Sequence, residues 1–214
     1  MEELLRNAIE SAIGSSKERK FTESLEIAFT IKDVDLKNPA NRIQEEVRLP
    51  AGRGRSVKIA MFAGGEMATK AQAAGLEIID PTTIEDLGGN RQTASKLANK
   101  LDFFLSEIPP MGKVGRYLGI VRGPRGKMPR PVPPNLDPGM MAAGLSDTTI
   151  VRSRDRMTFH AAFGTKDQTL EELTRNALAV WNRVIGKLER GSMNIRSCYI
   201  KTSMGPSVKL EVVS

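Results

Sequence analysis

The sequence predicts a mixed fold: an α+β domain formed by both ends of the chain, with helices on an antiparallel sheet, and a separate α/β domain inserted into it. Three observations predict it. Strands near both termini alternate apolar and polar residues, the period of a sheet with one buried face. Between residues 57 and 108 strands alternate with helices, which argues for a parallel-sheet unit. Two stretches, 50–55 and 150–156, read as crossings between the parts. The expected boundaries are 1–53 with 152–214 for the discontinuous domain and 54–151 for the insert.

Residues 2–13 read as a helix, since Leu4, Leu5, Ala8, Ile9, Ala12 and Ile13 recur every three or four positions before Gly14. A basic knot follows, Lys17-Glu18-Arg19-Lys20. From 21 to 31 the chain alternates: Phe21, Leu25, Ile27, Phe29 and Ile31 share one parity, and Thr22, Ser24, Glu26 and Thr30 the other. That is a strand with one buried face. Residues 44–49 form a second extended piece ending at Pro50, and the glycines of 51–55 mark a hinge or linker.

The insert reads as a strand at 57–62, a helix at 67–74, a strand at 76–79, a helix at 90–101 and a strand at 103–108. Five prolines in 129–138 exclude a regular element there. After the second crossing comes a strand at 157–163. The longest helix spans 168–190, with Thr169 and Glu172 spaced as a capping box and Gly191 as its stop. A strand at 195–201, a turn at Met204-Gly205-Pro206-Ser207 and a last strand at 208–213 complete the chain.

A net charge of +7 over 214 residues favours a polyanionic partner, although a merely basic soluble protein would show the same balance. The single cysteine, Cys198, excludes an internal disulfide and a multi-cysteine zinc site, and fits a reducing cytosol. The first residues lack the basic and apolar regions of a signal peptide. No run reaches the roughly 18 apolar residues of a membrane span, so no membrane partner is expected.

Enzymatic chemistry finds little support. His160, the one histidine, sits in an expected strand with no nucleophile partner indicated. Gly64-Gly65 follows an apolar strand, which invites a nucleotide-binding reading, but the glycine fingerprint and the Walker lysine are both absent. Glu171 and Glu172 open a helix, where acids complement the dipole. No cofactor and no metal are expected; the alternative kept open is a nucleotide-binding enzyme using the inserted domain.

Two constellations suit RNA. From Gly112 to Pro131 runs a glycine-rich stretch with Lys113, Arg116, Arg122, Arg125, Lys127 and Arg130 and no acid. Such a loop lets backbone and guanidinium groups approach phosphates, but it could equally be a solvated surface loop. The second pairs Lys20-Phe21-Thr22-Glu23-Ser24, opening the first strand, with Lys201-Thr202-Ser203-Met204-Gly205-Pro206-Ser207 at the final turn. Small hydroxyls, exposed amides and a flat Met or Phe suit an RNA backbone. A plain hairpin plus a core phenylalanine would read the same way.

The stretch around G-P-R-G-x-M-P, the KTSMGPSV turn and the KFTES segment together resemble the universal large-subunit ribosomal protein L-one family in its archaeal form, in order and over nearly the whole chain. The resemblance implies a Rossmann-like three-layer insert and a main ribosomal-RNA contact on the domain built from both termini. It implies the mobile stalk beside the tRNA exit site, assistance to the release of deacylated tRNA, and repression of translation through the protein's own messenger RNA. It further implies a cytoplasmic, ribosome-bound protein that is a monomer off the ribosome. By position, Phe21, Thr202, Met204, Gly205 and Ser207 would contact RNA, with Lys20, Thr22, Glu26, His160, Lys201, Ser203 and Pro206 around them. The basic stretch would serve mainly the insert's structure, with auxiliary RNA contact. Thr22, Ser24 and Ser203 replace the commoner Asp, Thr and Thr but stay small and polar.

The expected mechanism is binding without covalent chemistry, with a hinge near the two crossings that lets the insert swing. Met204→Asp or Gly205→Val is expected to weaken specific RNA binding by roughly 1–3 kcal/mol while leaving thermal unfolding nearly unchanged. Unaltered affinity in a filter-binding titration would contradict the site.

Overall fold

The computed structural model describes residues 1–123 and 125–211. In chain order the helices are α1 (Glu2–Gly14), α2 (Gly65–Ala73), α3 (Ile84–Gly89), α4 (Arg91–Lys100), α5 (Ile108–Arg122), α6 (Pro138–Ser146) and α7 (Leu170–Lys187). The strands are β1 (Ser24–Ile31), β2 (Gln44–Arg48), β3 (Ile59–Phe62), β4 (Glu77–Ile79), β5 (Phe103–Glu107), β6 (Arg130–Val132), β7 (Thr148–Arg152), β8 (Thr158–Thr165), β9 (Ile195–Thr202) and β10 (Ser207–Leu210). Val212 and Val213 of the expected last strand lie outside the described residues. Two compact units emerge: Met1–Arg55 with Asp147–Ser214, and Ser56–Ser146.

The first unit holds an antiparallel sheet in the order β10-β9-β1-β8. β8 and β9 both pair antiparallel with β1, so they run parallel to each other and need a crossover, which α7 supplies. The inward residues of β1, namely Leu25, Ile27, Phe29 and Ile31, are buried. They meet Leu5 and Ile9 of α1 and Leu173, Val180 and Val184 of α7. Phe29 stacks on Phe159 at 5.5 Å and tilts against Trp181 at 5.9 Å. Each such side chain contributes about 1.5–3 kcal/mol by leaving water.

The α7 capping box forms as expected, with the Thr169 hydroxyl and the Glu172 carboxylate satisfying each other's backbone amides. The helix ends at Lys187, short of the expected 190, and a 3-10 turn at Gly191–Asn194 leads into β9. β2 pairs with a strand not anticipated, β7, so the second crossing begins as a ribbon. The glycine stretch 51–54 is tied down. Buried Asn176 accepts from Ala51 N at 2.9 Å and donates to Gly52 O at 2.8 Å, while Gln168 donates to Ala51 O at 3.0 Å. Gly52 and Gly54 both have φ of +71°, which favours residues without a Cβ.

The second unit holds a parallel sheet, β4-β3-β5-β6. Phe62 and Phe104 pack with Ala94, Ala98, Val114 and Leu118 in its core. Two sequence expectations fail here. Residues 108–122 are a helix, not a loop: prolines open its first turn, where no amide donor is needed, and Pro110, Val114, Leu118 and Val121 form its buried stripe. The glycines between them hid that spacing. Residues 130–132 are a strand despite Pro131, because β6 lies at the sheet edge, and Pro138 opens α6. No helix among the described residues is long and apolar enough to cross a membrane.

Arg122, expected at an RNA-facing surface, is fully buried. Its guanidinium carbon lies 3.7 Å from the Phe104 ring centroid and 4.7 Å from that of Phe62. Its three side-chain nitrogens have no hydrogen-bond partner. The rings attract the cation by about 2 kcal/mol, less than the several that desolvation costs. Burial accordingly pushes its pKa down to about 10. Because the folded pKa is lowered, the unfolded chain holds this proton more tightly, and the penalty is complete at neutral pH and shrinks as pH rises through 10. Arg122→Met should raise the thermal unfolding midpoint at pH 7, by about 1–3 kcal/mol in stability, with a smaller advantage above pH 10. A lowered midpoint at pH 7 would contradict this account.

Candidate nucleic-acid interface

Strand pairing brings the two ends of the chain together. Leu25 of β1 lies in register with Thr202 of β9. Just beyond, Ser203 donates its amide to Ser24 O at 2.9 Å, and its hydroxyl lies 3.3 Å from the same oxygen. The bend between β9 and β10 therefore sits beside the segment that leads into β1. Gly205 N closes the bend on Thr202 O at 3.2 Å.

Glu23 fastens the bend. Its side chain is 2% exposed, and Oε1 accepts from Met204 N at 2.9 Å. Arg19 stands 3.6 Å from that carboxylate and donates to Met204 O at 3.3 Å. Lys166 N donates to Glu23 O at 2.9 Å, and Lys166 Nζ reaches the Ser16 hydroxyl at 2.6 Å. Thr22 donates to Asp167 at 3.0 Å. Two polar atoms at the centre, Glu23 Oε2 and Thr202 Oγ1, are buried without a partner. An unsatisfied buried group costs about 1–3 kcal/mol, so this pair stands out.

Around that centre lie exposed apolar side chains, Phe21 at 54% and Met204 at 62% exposure. Phe21 is thus neither in the strand nor on its buried face, as its parity suggested; β1 starts at Ser24. Lys20, Phe21 and Thr22 line a cleft with Arg19, Lys166 and Asp167. Pro206 and Ser207 are exposed, Lys201, Ser203 and Gly205 are partly so, and Thr202 is buried. Glu26 and His160 are not at the bend: they lie on the outward face of the sheet, Glu26 opposite Lys201 and His160 opposite Ala28.

A Cβ on Gly205 would collide with the Thr202 hydroxyl and stand 3.3 Å from Ser16 Cβ. Gly205→Val therefore cannot leave folding untouched as expected, whereas Met204 points to solvent and tolerates Asp. Sequence reasoning named Glu23 only as part of the segment opening the first strand and did not single out Arg19 or Lys166, yet all three fasten the bend and the segment beside it. The signal for Glu23 was its parity: it shares the register of buried Leu25 and Ile27.

The six cations of the basic stretch are mostly committed within the second unit. Lys127 donates to Ala98 O and Leu101 O at 2.8 and 2.7 Å, bracing the C-terminal end of α4. Arg125 holds Val121 O and Ser95 Oγ at 2.7 and 2.8 Å. Lys113 pairs with Glu85 at 3.1 Å, Arg116 and Arg130 each lie 5.7 Å from a tyrosine or phenylalanine ring centroid, and Arg122 is buried. At the Gly64-Gly65 turn, Gly64 N donates to Glu107 Oε1 at 3.3 Å.

The model of the Ribosomal protein L1p/L10e family matches residues 12–206. The large ribosomal subunit protein uL1 of Thermoplasma acidophilum is 42% identical over 97% of this chain and 95% of its own. That of Pyrococcus horikoshii is 46% identical, covering 95% and 94%, and that of Methanothermobacter thermautotrophicus 43%, covering 98% and 100%. With a family match over nearly its full length, the chain belongs to the Ribosomal protein L1p/L10e family.

Proposed function

We propose that this protein, a non-enzymatic constituent of the large ribosomal subunit by family, docks ribosomal RNA on the surface made by Phe21 and the Met204 bend. The observation that carries the reading is the unpartnered pair, Glu23 Oε2 and Thr202 Oγ1, beneath two exposed apolar side chains. A ribose 2′-hydroxyl can donate to the carboxylate or accept from the threonine, which a deoxyribose cannot. Phe21 and Met204 then yield sideways and pack on sugar and base. Lys20, Arg19 and Lys201 supply long-range attraction to phosphate.

The larger role rests on the resemblance and on the relatives' names. In that role the unit formed by both termini carries the RNA contact, and the inserted Rossmann-like unit moves on the crossings as part of the stalk near the tRNA exit site. There it assists release of deacylated tRNA. Off the ribosome the protein is a cytoplasmic monomer that binds its own messenger RNA and represses its translation.

The test is filter binding of a large-subunit ribosomal RNA transcript beside a DNA strand of the same sequence at matched salt. RNA should bind far more tightly, and Glu23→Gln should lose about tenfold or more, the scale of one charge-assisted hydrogen bond. Equal affinity for RNA and DNA, or an unaffected Glu23→Gln protein, would overturn the reading.

A further inference from the structure

The turn between β8 and α7 is held from two sides. Thr165 ends β8 in register with Ser24, and the capping box at Thr169 starts α7, so only Lys166, Asp167 and Gln168 lie between them. A stretch this short, fixed at both ends, moves as one piece. On one side it grips the approach to β1. Lys166 N donates to Glu23 O at 2.9 Å, and the Thr22 hydroxyl donates to Asp167 Oδ2 at 3.0 Å. On the other side it grips the first crossing. Gln168 Nε2 donates to Ala51 O at 3.0 Å and to Gly52 O at 3.4 Å, and Thr165 Oγ1 donates to Gly54 O at 3.2 Å. After Arg55 the chain leaves this unit.

Two glycines make room for these contacts. A Cβ on Gly54 would run into the Thr165 hydroxyl and the Gln168 carboxamide, and a Cβ on Gly164 into Gln168 Oε1 and Leu173. Both ends of the carboxamide are engaged: Oε1 accepts from Thr165 N at 3.0 Å, and Nε2 serves the crossing. A strand-to-helix turn needs only its own cap to be stable. Here it also spends its side chains on segments far off in the chain, 111 residues away for Thr165 and Gly54 and 145 for Asp167 and Thr22. The turn is the one place where the residues beside the Met204 bend and those of the crossing share direct partners three positions apart.

We infer that Asp167 and Gln168 are positioning residues that couple the RNA site to the first crossing. This rests on the RNA reading of the bend. RNA that orders Thr22 and Glu23 steadies the turn through Asp167 and the Lys166 amide, and the turn steadies Ala51 to Gly54 through Gln168 and Thr165. Neither Asp167 nor Gln168 needs to touch RNA; each acts through the segment it holds. Such coupling is reciprocal, so a change that loosens the crossing weakens RNA binding by the factor with which RNA fastens the crossing. The glycines at 52 and 54 therefore do not by themselves make the crossing loose: how firmly it is held depends on what occupies the bend.

The experiment is amide hydrogen exchange of the full chain, read by mass spectrometry with and without a saturating large-subunit ribosomal RNA transcript. In the parent, RNA should slow exchange in the peptide spanning residues 50–55 by roughly fivefold or more, the lower end of coupling between sites. Asp167→Asn keeps a side-chain carbonyl for Thr22 and drops only the charge, so it keeps the slowing. Asp167→Ala removes the tie at an exposed position, so it still binds RNA but loses the slowing. Gln168→Glu keeps the acceptor for Thr165 N, removes the donor to Ala51 and Gly52, and loses the slowing as well. If bound RNA leaves exchange at 50–55 unchanged in the parent, or if Asp167→Ala keeps the full slowing, the coupling is overturned and docking at the bend stands. Should Asp167→Ala fail to fold, full slowing in Gln168→Glu overturns it equally. If the unsubstituted protein does not bind this RNA, both readings are overturned.

Discussion

The pairing of β1 with β9 is the constraint on which the rest depends. It joins residues far apart in sequence: Ser203 contacts Ser24 across a separation of 179 residues. Without that ladder the Glu23 carboxylate has no Met204 amide to accept, and the bend has nothing to lean on. The cost is entropic and paid once, since closing so long a loop grows only with the logarithm of its length. What offsets it is burial: Leu25, Ile27, Phe29 and Ile31 on one strand and Cys198 and Ile200 on its neighbour are all inaccessible or nearly so.

Charge is used in two different ways in the two units. In the second unit the cations that look most like a phosphate-binding loop are consumed internally, bracing the end of α4 or stacked on rings. Nothing in the run of cations signalled these internal contacts. In the first unit the informative charge is an acid. A buried glutamate with one oxygen bonded and the other without a partner is a costly arrangement for a fold.

Much of the architecture was legible in the sequence. The antiparallel and parallel sheets, the long capped helix and the position of the bend all follow from apolar period and turn residues, which are local signals. α5 and β7 were not. In α5 the glycines at 112, 115 and 119 masked the buried stripe, and in β7 the Thr148-Thr149 start reads as polar although both residues are buried. The site was half legible. Turn chemistry and resemblance pointed to the Met204 bend and Phe21, which the structure brings side by side, while the Glu23 contact to that bend needed its burial to be seen. Arg122 was misplaced because a guanidinium in a run of cations gives no hint that two phenylalanines from distant strands enclose it.

The account stands or falls on where RNA meets the chain in the living cell. Crosslinking in cells, with the attached RNA sequenced and the attachment points mapped by mass spectrometry, addresses it directly. The account predicts large-subunit ribosomal RNA as the dominant partner, attached to peptides around Phe21 and Met204. Attachment confined to the Gly112–Pro131 stretch, or to no ribosomal RNA at all, would contradict it.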